Sequence, residues 1–411
     1  MTIRWITDRL GTAPASIIAE SEDLKLLDVR SLVDKGGNPV SAVKEAVEHG
    51  VAVLARGSRL VVGCDYGISR SNAIAAGILS RSSGRRLDDC LREVLARTGG
   101  AEIKLEMIDI VRSAVEPHDA RKAGDGATLL TGGSGFLGAA VARVLRKHGA
   151  KIVSPTRSEI DILRDRALLA LKMSEAGVDC VIHLANPRVY TSNIALGETL
   201  TMLRNVMEAC VRTGATLIYP SGWEVYSGYR ASELRVNEST PLCAKGPYGD
   251  TKFLAEILIE KFRNEEGLEC GLLRFGPVYG PGSERPKFLH TFIEKALAGK
   301  PISTHVYRNG RAALDLLHVD DAVDAIARLS HKRVSGNFNI GTGVLTETRT
   351  IAEWMLSHAG REGEVEEIKI DDDVARISID ASRASRELGW RPTRNLKDEI
   401  HKLFQSRMIA T

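Results

Sequence analysis

Aromatic side chains are scarce, at 5% of the 411 residues. So thin a supply offers no stacking platform for single-stranded nucleic acid. An excess of one charge is also missing, since the formal net charge is only +3. That balance by itself neither favours nor disfavours a polyanionic partner. No stretch approaches the roughly 20 apolar residues of a membrane helix. The opening MTIRWITDRL lacks the apolar core of a secretory signal. A cytoplasmic protein with no membrane and no nucleic-acid partner is therefore expected. The six cysteines (Cys64, Cys90, Cys180, Cys210, Cys243, Cys270) are scattered without metal-ligand spacing. No metal is expected, and in a reducing cytosol most of them read as small core residues, with Cys64 set apart.

What is present is an ordinary globular composition, 43% hydrophobic and 27% charged, long enough for two or three domains. Residues 1–116 mix short apolar runs, Leu24–Val29 and Arg59–Gly63, with helical patterns at Ser41–His49, Ser71–Arg81, Leu87–Ala96 and Glu102–Val115. The polar, breaker-rich Pro117–Gly126 is read as a linker. Residues 127–411 then become regular. Strands are expected at Ala127–Thr131, Lys151–Pro155, Asp179–Ala185, Ala215–Pro220 and Glu269–Phe275. Helices at Phe136–His148, Arg164–Ala176, Ile194–Thr213 and Tyr248–Asn264 separate them. Apolar strands alternating with helices predict an α/β, doubly wound parallel sheet of Rossmann type.

The first of these strands runs into Thr131-Gly132-Gly133-Ser134-Gly135-Phe136-Leu137-Gly138. Gly133, Gly135 and Gly138 satisfy G-x-G-x-x-G, and Gly132, Gly135 and Gly138 are spaced G-x-x-G-x-x-G. Such a turn lets the backbone approach a pyrophosphate and seats it at a helix N-terminus. Residues 132–138 are the expected cofactor cradle. An acidic residue at the end of the second strand would bind the ribose of NAD, but Thr156-Arg157-Ser158 stands there. Arg157 suits the 2′-phosphate of NADP, the expected cofactor. NAD stays open, with Glu159 or Asp161 meeting the ribose.

Pro247-Tyr248-Gly249-Asp250-Thr251-Lys252 carries Y-x-x-x-K at a helix start. Four residues apart places Tyr248 and Lys252 on one face. The ammonium is expected to lower the tyrosine pKa, so that the phenol exchanges a proton with a substrate oxygen while nicotinamide exchanges hydride.

Together with VIHLA (181–185), EVYSG (224–228), RFGPVYGPG (274–282), LLHVDDA (316–322), FNIGTG (338–343) and ELGWRPT (387–393), these motifs resemble the extended short-chain dehydrogenase/reductases, the group of sugar-nucleotide epimerases and dehydratases. The resemblance implies a small C-terminal substrate subdomain, a sugar or sugar-nucleotide substrate, and a homodimer through the helices at 194–213 and 248–264. It places Asp161 near the adenine and adds Ala185, Tyr248 and Lys252 to the cofactor contacts. Three positions depart from the pattern. The family's hydroxyl, four residues before the tyrosine of V-Y-G, is Gly222, and Ser221 is the expected substitute. Trp223 replaces the aspartate that dehydratases carry before Glu224. Leu314 stands where an arginine often meets a diphosphate, with Arg308 or Arg311 as replacements.

In the first segment, Cys64-Asp65-Tyr66-Gly67-Ile68-Ser69-Arg70-Ser71 contains C-x5-R-S between a strand and a helix. Backbone N–H groups of such a loop wrap one phosphate and lower the cysteine pKa, making a thiolate nucleophile. It resembles the phosphate loop of dual-specificity and protein tyrosine phosphatases. That resemblance implies Cys64 as nucleophile, Arg70 on the phosphoryl oxygens, Ser71 assisting the sulfur, and a phosphorylated substrate. Asp34 is the expected general acid and Asp28 the runner-up. Gly63 replaces a histidine, and the region before Leu24 looks too short for a full set of elements. The expected protein is a bifunctional enzyme. The alternatives are an NADPH-dependent carbonyl reductase on a non-nucleotide substrate, or a regulator whose first domain only binds phosphate.

Overall fold

The computed structural model describes residues 2–19, 21–35, 37–99, 102–115, 126–187, 192–283, 286–360 and 364–410. The chain divides into two compact units, Met1–Gly124 with Ile160–Glu175, and Asp125–Glu159 with Ala176–Thr411. The expected linker lies, except for Gly126, outside the described residues.

In the first unit, β1 (Arg4–Trp5), β2 (Leu10–Pro14), β3 (Leu24–Asp28) and β4 (Arg59–Cys64) form one sheet in the order β1-β2-β4-β3. β2 and β3 flank β4 in parallel, and β1 runs antiparallel to β2. β4 takes the centre because RLVVGC is apolar on both faces, and Leu60 through Cys64 are buried. The helices of this unit are α1 (Val40–Ala55), α2 (Ser69–Ser83), α3 (Leu87–Arg97) and α4 (Leu105–Val115), together with the later helix Arg166–Ala176. α2 is buried from Ser69 through Ser80 and is the helix around which α1, α3 and α4 pack.

The structure refines two local expectations. The region before Leu24 supplies two strands, but only the 3-10 turn Ala15–Ile17 and no α-helix among the described residues. β2 escapes notice because LGTAP has neither alternation nor β-branched enrichment; tertiary burial of all five residues makes it a strand. Helix α1 also continues past its expected end at His49. Gly50 does not stop it, because a Cβ there would come 2.8 Å from Ile78 Cγ1, so the glycine serves the close approach of α2.

The second unit is built on β5 (Ala127–Thr131), β6 (Ile152–Val153), β7 (Val178–His183), β8 (Thr216–Gly222), β9 (Cys270–Phe275) and β10 (Gly336–Ile340). Their order is β10-β9-β8-β7-β5-β6, and every pair is parallel. From β5 the chain passes through α5 (Phe136–Lys147) to the edge strand β6, then returns to β7 on the other side of β5. That reversal opens a crevice at the carboxyl ends of β5 and β7, where doubly wound sheets bind their ligands. Helices α6 (Asn193–Thr213) and α7 (Gly246–Glu266) follow β7 and β8. Leu130, Ile182, Ile218 and Leu273 of the sheet share a core with Val141 and Leu145 of α5. A second core, including Leu289, Phe292, Ile302, Met355 and Phe404, belongs to a smaller C-terminal lobe. There the strands Ile302–Tyr307 and Val365–Ile370 pair in parallel.

Candidate functional site

The glycine turn of the second unit is shaped by contact rather than by flexibility. Gly132 sits at φ +69, and a Cβ there would lie 2.7 Å from the Ala185 nitrogen. A Cβ on Gly138 would overlap the Gly132 carbonyl oxygen and reach 2.8 Å from the Gly133 Cα. Gly135 precedes α5 without a side-chain cap, so no side chain competes for the first N–H groups of a 12-residue helix. Ser134 and Gly135 are exposed at the tip, and Phe136 and Leu137 are half-buried behind it. The cradle and the uncapped helix end fit a dinucleotide pyrophosphate. Thr131 Oγ1 accepts from the Ala185 N–H at 3.2 Å, joining the ends of β5 and β7.

Beyond β6, Thr156, Arg157, Ser158 and Glu159 are exposed. Glu159 accepts from the Thr156 N–H at 2.7 Å. The Asp161 carboxylate accepts from the Leu163 N–H at 3.1 Å, closing its own turn.

One cleft of about 630 Å³ holds the glycine turn together with Tyr248, Lys252, Glu224 and His183. Its volume is that of an ordinary ligand site. Lys252 is buried; Nζ donates to the Pro220 carbonyl at 2.9 Å and to Tyr219 Oη at 3.4 Å. It lies 4.8 Å from the Tyr219 ring centre and 5.7 Å from that of Tyr248. Burial pushes the ammonium down, but the attraction of Tyr219, Tyr248 and Glu224 outweighs it and holds the pKa above the usual lysine range. The expected lowering of Tyr248 is corrected. Burial raises its phenol, Lys252 offsets only part of that, and Glu224 raises it further. His183 is pushed down to about 3 by burial and by Lys252. Its Nδ1 lies 2.7 Å from Thr131 Oγ1, and Nε2 has no hydrogen-bond partner among the described residues.

Ser221 lines the cleft with Tyr248 and Lys252, but its hydroxyl is turned to another partner. It donates to Glu256 Oε1 at 2.6 Å. Glu256 pairs with Arg274 at 2.7 Å, and Arg274 donates to Tyr226 Oη at 2.6 Å, so the serine belongs to a buried network. Leu314 lines the cleft. Arg311 lies 2.6 Å from Glu367, and Arg308 is exposed beside Asp371, Asp372 and Asp373. Neither arginine lines the cleft. Sequence reasoning missed His183 and Tyr219. Both stood in strand segments read as apolar, and only the shared strand-end position tied them to Lys252.

The first unit gathers Cys64, Arg70 and Asp34 around a cavity of about 440 Å³, with Arg4 and Lys104 on its walls. Cys64 ends β4 and α2 begins at Ser69, so the loop between them is a strand-to-helix turn. Burial pushes the Cys64 thiol up. The Ser71 hydroxyl at 3.5 Å and the N–H groups of Ser71, Ile68 and Tyr66 more than reverse that, leaving the pKa below the ordinary thiol range. Gly67 sits at φ +64 against the Ala13 and Pro14 backbone, where no side chain fits. Arg70 donates to the Leu32 carbonyl at 2.7 Å and to the Arg30 carbonyl at 3.1 Å, and pairs with Asp65. Asp34 accepts from Ser69 Oγ at 2.5 Å. Asp28 instead pairs with Arg30 at 2.6 Å and does not line the cavity. Gly63 is required by packing, since a Cβ would come 2.8 Å from the Ala15 Cα.

The model of the NAD dependent epimerase/dehydratase family matches residues 128–341, just over half of the chain. The chain belongs to this family. A UDP-glucose 4-epimerase of Mycolicibacterium smegmatis is 28% identical over 313 residues, covering 68% of this chain and 97% of that protein. A GDP-mannose 3,5-epimerase of Oryza sativa subsp. japonica is 25% identical, covering 66% and 79%. Among solved structures, the Thermus thermophilus UDP-glucose 4-epimerase in complex with NAD superposes with a TM-score of 0.60 at 23% identity, covering 69% of this chain and all of that one. The dTDP-glucose 4,6-dehydratase of Bacillus anthracis str. Ames, also in complex with NAD, gives 0.59 at 21% identity, covering 69% and 97%. The family match covers residues 128–159 and 176–341 of the second unit and Ile160–Glu175 of the first.

Proposed function

We propose that the second unit is a nicotinamide-dependent enzyme of the epimerase/dehydratase kind acting on a nucleotide sugar. Tyr248 and Lys252 standing with the glycine turn in one cleft carry this reading. The bound nicotinamide would supply hydride exchange; Tyr248 would hold and return the proton of the substrate hydroxyl, and Lys252 would stabilise its phenolate. Relatives named for UDP-glucose and GDP-mannose epimerisation support the substrate class. Exposed Arg157 after β6 favours NADP over NAD. Leu254 and Ile257, exposed on α7, support a homodimer through that helix. The first unit is proposed as a cysteine-dependent phosphatase, supported by the lowered thiol of Cys64 and by Asp34 on the wall of the same cavity. Both halves then act on phosphorylated small molecules.

The test is a screen of nucleotide sugars and sugar phosphates with NAD and NADP, reading absorbance and phosphate release together. Turnover of no nucleotide sugar would reject the first assignment; no phosphate release from any phosphate ester would reject the second. A second reading, a carbonyl reductase on a non-nucleotide substrate, is favoured by Leu314 in the cleft with Arg308 and Arg311 elsewhere. Tight binding of UDP-, GDP- or dTDP-sugars in calorimetry counts against it.

A further inference from the structure

Ser69 opens α2 and is buried. Its hydroxyl oxygen accepts from the Lys104 N–H at 2.9 Å. A peptide nitrogen can only donate, so the serine's own proton serves a second bond. That bond runs to Asp34 Oδ1 at 2.5 Å. One hydroxyl thus joins three segments: the phosphate loop at the start of α2, the residue before α4, and the connection between β3 and α1 that carries Asp34.

Two more residues hold the same connection. Arg70, next to Ser69, donates through Nη1 to the Leu32 carbonyl at 2.7 Å and to the Arg30 carbonyl at 3.1 Å. Asn38 is buried on the other side of Asp34. It accepts from the Val33 N–H at 2.8 Å and donates to the carbonyls of Val33 at 2.8 Å and Lys35 at 3.3 Å. The protein itself therefore fixes the backbone around Asp34, and the carboxyl shares its cavity with Cys64 and Arg70. A hydroxyl that donates to Oδ1 leaves Oδ2 as the oxygen for a proton. The same bond strengthens once the carboxyl is ionised.

Resting on the phosphatase reading of the first unit, we infer that Ser69 is a positioning residue that latches the Asp34 carboxyl to the phosphate loop and reserves Oδ2 for the transferred proton. In the first step Cys64 Sγ bonds to phosphorus, the bond from phosphorus to the leaving oxygen breaks, and the Oδ2 proton passes to that oxygen. In the second, water attacks phosphorus, the sulfur–phosphorus bond breaks to return thiolate, and Oδ2 takes a proton from the water. Ser69 keeps its own proton in both steps and acts only through Asp34.

The experiment compares kcat/KM of the full chain for two esters. The leaving oxygen of p-nitrophenyl phosphate needs little protonation, and that of phenyl phosphate needs it. Ser69→Ala should lower the phenyl phosphate value by about tenfold, part of the roughly 10²-fold or more that a positioned acid supplies, and the p-nitrophenyl phosphate value by no more than about twofold. In an Asp34→Asn background, Ser69→Ala should change neither. Equal losses with both esters, no loss with either, or an undiminished loss in the Asp34→Asn background would overturn the inference. Hydrogen–deuterium exchange of residues 30–38 follows the latch without turnover. It should quicken by about tenfold in Ser69→Ala, the equilibrium factor of one such bond, and unchanged exchange would also overturn the inference. If the wild type releases no phosphate from either ester, the phosphatase reading fails, and exchange still decides whether Ser69 holds Asp34.

Discussion

The Ser221 hydroxyl donates to Glu256 Oε1 at 2.6 Å, inside the buried pair of Glu256 with Arg274. A serine expected at the reacting centre is thereby a fastening of β8 to α7. Ser221→Ala should cost about 1 kcal/mol of stability, the net value of one such bond. Arg274→Ala, which leaves a buried carboxylate unpaired, should cost about 3–5 kcal/mol. Urea unfolding followed by tryptophan fluorescence checks both. A loss for Ser221→Ala as large as that for Arg274→Ala would contradict the assignment.

His183 links stability to pH. Its folded pKa, pushed down to about 3, lies below the ordinary value of 6.5, so the unfolded chain binds the extra proton between these limits. Stability should therefore fall as pH drops below 6.5, with a slope approaching about 1.4 kcal/mol per pH unit from this residue. His183→Asn removes the titrating ring, and the slope difference between the two proteins in urea unfolding at pH 7 and pH 5 measures the contribution.

Cys64 should alkylate as a low-pKa thiol. The rate of iodoacetamide modification at Cys64, followed by peptide mass spectrometry, should reach half its plateau below the ordinary thiol range of about 8.5. Ser71→Ala deletes one of the bonds that favour thiolate, and the midpoint should move upward. Hydrolysis of p-nitrophenyl phosphate should vanish in Cys64→Ser and weaken in Asp34→Asn.

Cofactor preference tests Arg157. Arg157→Ala should weaken NADP binding by about 10- to 100-fold, the loss of a charged hydrogen bond, while leaving NAD nearly unchanged. Gly138→Ala should abolish binding of both, because its Cβ collides with the Gly132 carbonyl that shapes the turn. Isothermal calorimetry with each dinucleotide separates these outcomes.

The proposed interface is checked on α7. Leu254 and Ile257 are 38% and 50% exposed, well above core values. Leu254→Asp with Ile257→Asp should convert a dimer to a monomer in light scattering, with the far-ultraviolet circular dichroism unchanged.

Much of this protein is written in local pattern. The glycines of residues 132–138, the four-residue spacing of Tyr248 and Lys252, and C-x5-R-S at Cys64–Ser71 are legible because each reflects backbone geometry within a few residues of chain. The alternation of strand and helix likewise implied the parallel sheet, since β7, β8 and β9 are apolar on both faces. Strand β2 was not legible, because LGTAP becomes a strand only when β4 is beside it. Nor were the balances that decide chemistry. Whether Lys252 or burial governs the Tyr248 phenol and whether Ser221 faces the substrate or Glu256 depend on groups brought together from separate elements. Spacing along the chain determines which groups can share a helix or a turn. Desolvation, charge and occupied volume arise only when those elements pack, and they are what the tertiary structure decided.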